Sequence, residues 1–167
     1  MNETLTKLLN LPDTVVQSFE QTPEGLVLSI RMDRESVLCP RCQQSTSEVH
    51  QRHPRQIRDL SISGQKVFLD LVRRRFWCPE CQWAFFELLT FVDEHRSYTQ
   101  RFEEYIFQQV RQVNVSFVAE GEGLSWDEIE SIFLHVAPKK CLMSPQQACE
   151  EWASMRLLPT KGTRVMR

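Results

Sequence analysis

Apolar and polar positions divide the chain into two regimes. Up to about residue 92 the apolar residues alternate in short runs, and from about Ser97 they recur every three or four residues. The first spacing is that of strands, the second that of amphipathic helices. Ahead of both, Leu5, Leu8 and Leu9 predict a short opening helix that ends before Pro12. "TVVQSFEQ" and "GLVLSIRM" flank the turn-forming group "TPEG" and predict a β-hairpin, with Leu26, Leu28, Ile30 and Met32 on one face of its second strand. A second hairpin is predicted from "RQIRDLSI" and "QKVFLDLVRRRFW", turning at Ser63-Gly64.

In the helical half, Ser97 and Gln100 have the spacing of a capping box, and Phe102, Tyr105, Ile106, Val110 and Val113 fall in one stripe. "VSFVAEG" predicts a shorter helix stopped at Gly121-Glu122-Gly123. Ser125 and Glu128 open a second capping box, before a helix whose Trp126, Ile129, Phe133 and Val136 share a side. A glycine turn ahead of a third helix is helix-turn-helix grammar, although trihelical bundles that never meet DNA use it too. Ser144 and Gln147 cap one further helix with Ala148, Trp152 and Met155 as its stripe, and "LLPTKGTRVMR" reads as a frayed tail.

Candidate chemistry sharpens this outline. Cys39-Pro-Arg-Cys42 and Cys78-Pro-Glu-Cys81 are two tight knuckles, each able to turn both thiolates toward one tetrahedral ion. The 35 residues between them exceed the usual ribbon spacing of roughly 15–20. The second hairpin accounts for the excess by returning its ends to one place. Four cysteines close the shell of one structural Zn²⁺ and leave no open position for a hydrolytic water. His50 and His53 lie between the knuckles and read as additions to a basic face rather than as ligands, while Cys141 and Cys149 read as ordinary thiols. The expected fold class is therefore α+β: a helix and β-hairpin over residues 1–36, a four-cysteine zinc ribbon over 37–92, a helix-turn-helix-like helical domain over 97–137, and an extra helix with a tail over 138–167.

Charge changes the picture more than composition does. The net charge of −2 conceals segregated blocks: residues 50–77 carry seven Lys/Arg against two acids, and residues 78–135 carry three against eleven. Four thiolates on Zn²⁺ leave a formal charge of −2, which one or two arginines can balance. That leaves a surplus among Arg52, Arg55, Arg58, Lys66, Arg73, Arg74 and Arg75. Strand alternation puts Arg73 and Arg75 on one face and turns Arg74 away, so the three cannot share one task. A rigid hairpin with a basic face suits phosphate contacts, and these residues with His53 are the expected DNA-binding set. In the third helix, Ser125, Ser131 and His135 could reach bases, although Asp127, Glu128 and Glu130 repel phosphates. The other acidic groups read as solvated helix faces rather than a nuclease site. No apolar run approaches the roughly 18 residues that span a bilayer, and "MNETLTKLLNLPD" lacks a signal-peptide layout, so a cytoplasmic, nucleoid-associated setting without a membrane partner is expected.

The run from Cys39 to Glu87, with its Cys-Pro-x-Cys knuckle, "RDL", glycine turn and arginine-rich strand entering the second knuckle, resembles the zinc-binding region of ISL-three family insertion-sequence transposases. "RSYTQRFEEYIFQQV" and "VAEGEGLSWDEIESIF" resemble that family's helix-turn-helix segment. The resemblance implies recognition of the terminal inverted repeats of a mobile element on double-stranded DNA. It also implies a downstream RNase H-like domain with an Asp-Asp-Glu site. Only 31 residues run from Ala137 to Arg167, so the chain reads as a truncated, non-catalytic transposase whose partners would include a second copy or an intact transposase. The competing reading is a zinc-ribbon protein-interaction module.

Overall fold

In the computed structural model both hairpins form, and they join into one sheet. Residues 3–140 and 144–157 are described; Cys141 and the tail after residue 157 lie outside them. The chain divides into two compact units, Met1–Thr99 and Gln100–Arg167.

The first unit opens with α1 (Glu3–Leu9), which buries Leu9. Strands β1 (Thr14–Thr22) and β2 (Gly25–Met32) form the first hairpin, with a bulge between Val16 and Ser18. The short strands β3 (Val37–Leu38) and β4 (Ser45–Thr46) frame the first knuckle. The long hairpin follows as β5 (Val49–Ile62) and β6 (Gln65–Cys78), and β7 (Trp83–Phe86) returns beside the end of β6. Ser63 and Gly64 both have positive φ, 51° and 77°, at the two-residue turn between β5 and β6. Such turns match the right-handed twist of the strands they join.

The expected boundary near residue 36 is bridged by the sheet. β2 pairs in parallel with β6 from Leu26↔Val67 to Ile30↔Leu71, giving the order β1-β2-β6-β5. Apolar alternation explains the joining. Leu28 and Ile30 of β2, Val67, Leu69 and Leu71 of β6 and Ile57 of β5 are all buried in one core, with Leu9, Leu89, Phe91 and Val92 across from them. Neither hairpin alone could cover that face.

Along β6 the buried face changes sides. Val67, Leu69 and Leu71 are buried on one face, and Phe76 and Cys78 are buried on the other. The second face carries a separate core of Cys39, Phe76, Cys78 and Phe85, packed by Val37, Val49 and Trp83. Arg73, Arg74 and Arg75 occupy the changeover.

The second unit comprises α2 (Gln100–Gln112), α3 (Val115–Glu122), α4 (Trp126–Lys140) and α5 (Pro145–Leu157). α2 starts at Gln100, three residues past the expected Ser97 cap. Its buried set is Phe102, Glu103, Ile106, Phe107 and Val110, so Tyr105 and Val113 of the expected stripe stay 38% and 41% exposed. The face is rotated because Phe107 packs against Phe133 of α4, ring centroids 5.2 Å apart. The capping box at Ser125 is formed, with Glu128 accepting from the Ser125 backbone N–H at 2.7 Å, and the Ser144–Gln147 box likewise. Gly123 ends α3 with φ 65°, donating its N–H to the Ala119 carbonyl. α5 belongs to this bundle: Trp152 is buried and packs against Phe133 in a tilted pair, ring centroids 5.4 Å apart. No helix among the described residues is long and apolar enough to cross a membrane.

Candidate metal centre and nucleic-acid interface

The two knuckles are built alike. Each reads Cys-Pro-x-Cys-Gln, and Gln43 and Gln82, which follow the second cysteines, adopt positive φ of 61° and 48°. Gln43 donates its N–H to the Cys39 carbonyl at 2.9 Å, closing the first turn. The Pro fixes the entry dihedral and the left-handed residue turns the chain out.

The hairpin brings the knuckles together. Cys39 Sγ lies 3.9 Å from Cys81 Sγ, and Cys42 Sγ 3.6 Å from Cys78 Sγ, with all four sulfurs within 4.8 Å of one another. Four sulfurs at about 2.3 Å from one tetrahedral ion stand about 3.8 Å apart, so the cluster has the size that Zn²⁺ requires. Burial raises the Cys39 thiol, but N–H groups of Cys42 and Arg41 and bonds from Cys78 and Cys42 outweigh it and bring Cys39 down to about 7. Cys81 is pushed up to about 12 by its bond with Cys42, then by burial and by Cys39 and Cys78. A dication meets both conditions by replacing protons among crowded thiolates. The four cysteines hold one structural Zn²⁺. With every ligand position filled by sulfur, the ion serves shape rather than catalysis. Cys149, an exposed thiol on α5, is apart from the cluster.

The arginine run divides as alternation requires. On the zinc-core face, Arg74 donates to Glu87 through Nη2 at 2.7 Å and Nε at 3.1 Å, and Glu87 also accepts the Arg74 backbone N–H at 2.8 Å. The Glu87 side chain is wholly buried, so this pair rivets the end of β7 to β6. Arg74 is thereby occupied inside the fold. Arg58 is also inside, 7% exposed over the Phe68 ring, its backbone paired with Ser97 and Thr99. Both were expected on a DNA-facing surface. Register explains the difference: each projects from the sheet face opposite Arg73 and Arg75. Arg52, paired with Arg74, is exposed on that reverse side, and Lys66 sits beside the hairpin turn.

The other face gathers a different set. Arg75 pairs with Gln51 on β5 and with Phe86 on β7, and Arg73 pairs with His53. The Arg73 guanidinium lies 4.7 Å from the Phe86 ring centroid, that of Arg75 lies 5.7 Å away, and the His53 ring meets Phe86 edge-on at 5.2 Å. Gln51 Oε1 accepts from Arg75 Nη1 at 3.1 Å and stands 3.4 Å from His53 Nε2. Among the described residues, no carboxylate is ion-paired with Arg73 or Arg75. Burial, and then the like charge of Arg55, pull Arg73 below its ordinary value, with Glu94 and Glu87 partly opposing. Two guanidiniums without an ion-paired carboxylate among the described residues suit this surface to an anion. Gln51 and Phe86 were absent from the sequence-derived set; the pairing of β7 with β6, which places Phe86, has no signature in the spacing.

On α4, Ser125 is committed to the cap, bonding Glu128 through its hydroxyl at 2.8 Å, and Ser131 is exposed. Asp127 and Glu128 charge the first turn negatively.

Residues 35–81 match the zinc-finger of transposases IS204/IS1001/IS1096/IS1165, and residues 87–137 match the helix-turn-helix domain of transposase family ISL3. The chain is 28% identical over 113 residues to the transposase for insertion sequence element IS1001 of Bordetella parapertussis. That alignment covers 68% of this chain and 28% of the relative's length. No solved structure is a significant match. Residues 35 to 137 thus comprise the paired zinc-ribbon and helix-turn-helix domains of the ISL3 transposase family, to which this chain belongs.

Proposed function

We propose that this chain binds the ends of an insertion sequence as double-stranded DNA, gripping phosphates with the Arg73–Arg75 face of its zinc-pinned sheet. One observation carries this reading: two half-buried guanidinium groups and an exposed histidine converge on one face, with no carboxylate ion-paired to either arginine among the described residues. Surface cations left unneutralised in this way favour a polyanion, because binding releases its condensed counterions. The metal's part is rigidity. It fixes the strand ends that present Arg73, Arg75 and Phe86, so little ordering cost falls on binding.

The helical unit adds contacts of a second kind. The acidic first turn of α4 is ill-suited to a phosphate, and exposed Ser131 is the residue on it that would meet base edges, since His135 is turned toward Lys139 and buried Glu103. Recognition of inverted repeats would come from such contacts, with the sheet supplying most of the affinity. The reading assigns no strand-cutting step to the zinc centre, since the sulfur shell around the ion admits no water.

The test is a titration of the zinc-loaded chain against short duplexes at several salt concentrations, with and without chelator. With Arg73, Arg75 and also Arg55, which pairs with Leu71 on the same face of the sheet, engaged, a log–log slope of about −3 is expected, disappearing with the metal. Absence of binding at low salt with one zinc per chain would refute DNA recognition and favour a protein-interaction module.

A further inference from the structure

We infer that Phe86 is the organising centre of a phosphate-binding site, holding the guanidinium groups of Arg73 and Arg75 in place for a DNA phosphodiester. This rests on the DNA-binding reading above and adds a residue whose side chain carries neither charge nor hydrogen-bonding group.

Phe86 is 39% exposed, unusually open for a ring at the end of a strand whose other phenylalanine, Phe85, is 7% exposed. The difference follows from the pleat. Phe85 pairs with Phe76 and faces the zinc core, whereas Phe86 pairs with Arg75 and faces away. Phe86 therefore stands outside the apolar cluster that packs the metal site.

What it touches instead is cationic. The Arg73 and Arg75 guanidiniums and the His53 ring all lie within 6 Å of its ring centre. Two further bonds fix the directions in which the arginines point. Arg73 Nε donates to the Glu87 carbonyl at 3.2 Å, and Arg75 Nη1 donates to Gln51. Arg75 Nε is buried without a hydrogen-bond partner. Like charges two positions apart on one strand face would otherwise splay apart. The ring's negative face holds them near one another at little desolvation cost. Long arginine side chains lose much freedom on binding, and those already stacked on an aromatic lose less. The ligand class is a tetrahedral oxyanion that can accept from two guanidiniums at once, which on DNA is the backbone phosphate.

The salt dependence separates this role from charge itself. The slope counts phosphates neutralised, whereas the affinity at fixed salt also reflects how well the cations are held. Phe86→Leu keeps an apolar side chain and every charge but removes the ring. It should weaken duplex binding about tenfold at roughly 0.1 M salt while leaving the slope unchanged and zinc at one per chain. Phe86→Trp should restore wild-type affinity. Arg73→Gln should instead reduce the slope by about one. Phe86→Leu binding with wild-type affinity would overturn the inference, and so would a loss of zinc or a changed slope in that variant. If wild type itself shows no salt-sensitive binding, the DNA reading has failed. If wild type binds and only the Phe86 effect is missing, this inference alone has failed.

Discussion

Arg74 donates four hydrogen bonds to the Glu87 carboxylate on the face of β6 opposite Arg73 and Arg75, so one arginine of the triplet holds the fold while its half-buried neighbours project from the other face. Removing Arg74 strands a wholly buried carboxylate. Losing one partner of a buried pair costs about 3–5 kcal/mol, far more than an exposed pair contributes. Arg74→Gln, whose amide recovers part of the bonding, should lose about 2–3 kcal/mol in urea denaturation. Arg73→Gln should change stability by less than about 0.5 kcal/mol. Equal losses in the two variants would contradict the division of labour.

The zinc core contains too little apolar surface to stand alone. Phe76 and Phe85 contribute roughly 1.5–3 kcal/mol each, against apparent values of about 10–16 kcal/mol for a structural zinc. Chelation should therefore unfold the knuckles and the end of β6, shifting Trp77 and Trp83 fluorescence, while helical circular dichroism from α2, α3, α4 and α5 persists. Cys39→Ser should release zinc at chelator concentrations that leave wild type loaded. Retention of the metal by that variant would count against a four-sulfur shell.

Gln43 and Gln82 occupy a conformation that costs a side-chain-bearing residue about 1–2 kcal/mol. Glycine at either position should be tolerated or mildly stabilising, within about 1 kcal/mol, and Gln82→Val should weaken zinc retention. Competition with a chromophoric chelator reads both effects. Indifference to valine would mean that the left-handed turns are not what shapes the knuckles.

Gly25 tests the union of the two hairpins. A Cβ there would lie 2.3 Å from the Lys66 carbonyl oxygen, closer than backbone atoms tolerate. Gly25→Ala must push β2 away from β6, and the cost should exceed the roughly 1 kcal/mol of an ordinary glycine effect. The shift of the urea midpoint measures it. A wild-type midpoint would show that the parallel pairing contributes little.

Much of this architecture was legible in the chain. Apolar alternation placed both hairpins, Ser63-Gly64 placed the turn between β5 and β6, and the knuckle spacing placed the metal, because each is a local consequence of neighbouring residues. Alternation also separated Arg74 from Arg73 and Arg75. It could not show that the buried side changes along β6, since that depends on which elements cover each end of the strand. For the same reason Arg58, charged in the sequence, proved buried, and Phe86, an apolar residue among others, proved exposed among cations. The α2 stripe is rotated from the expected one because buried Glu103 and Phe107 define the packed face. The parallel β2–β6 pairing joins residues about 40 apart and leaves no mark in either segment alone.

The most direct test of the central claim is the salt slope of duplex binding for the wild-type chain beside Arg73→Gln/Arg75→Gln, with zinc content measured in both. The account predicts one zinc in each protein and a slope shallower by about two in the double variant. An unchanged slope, with binding and zinc intact, would place the DNA on another surface.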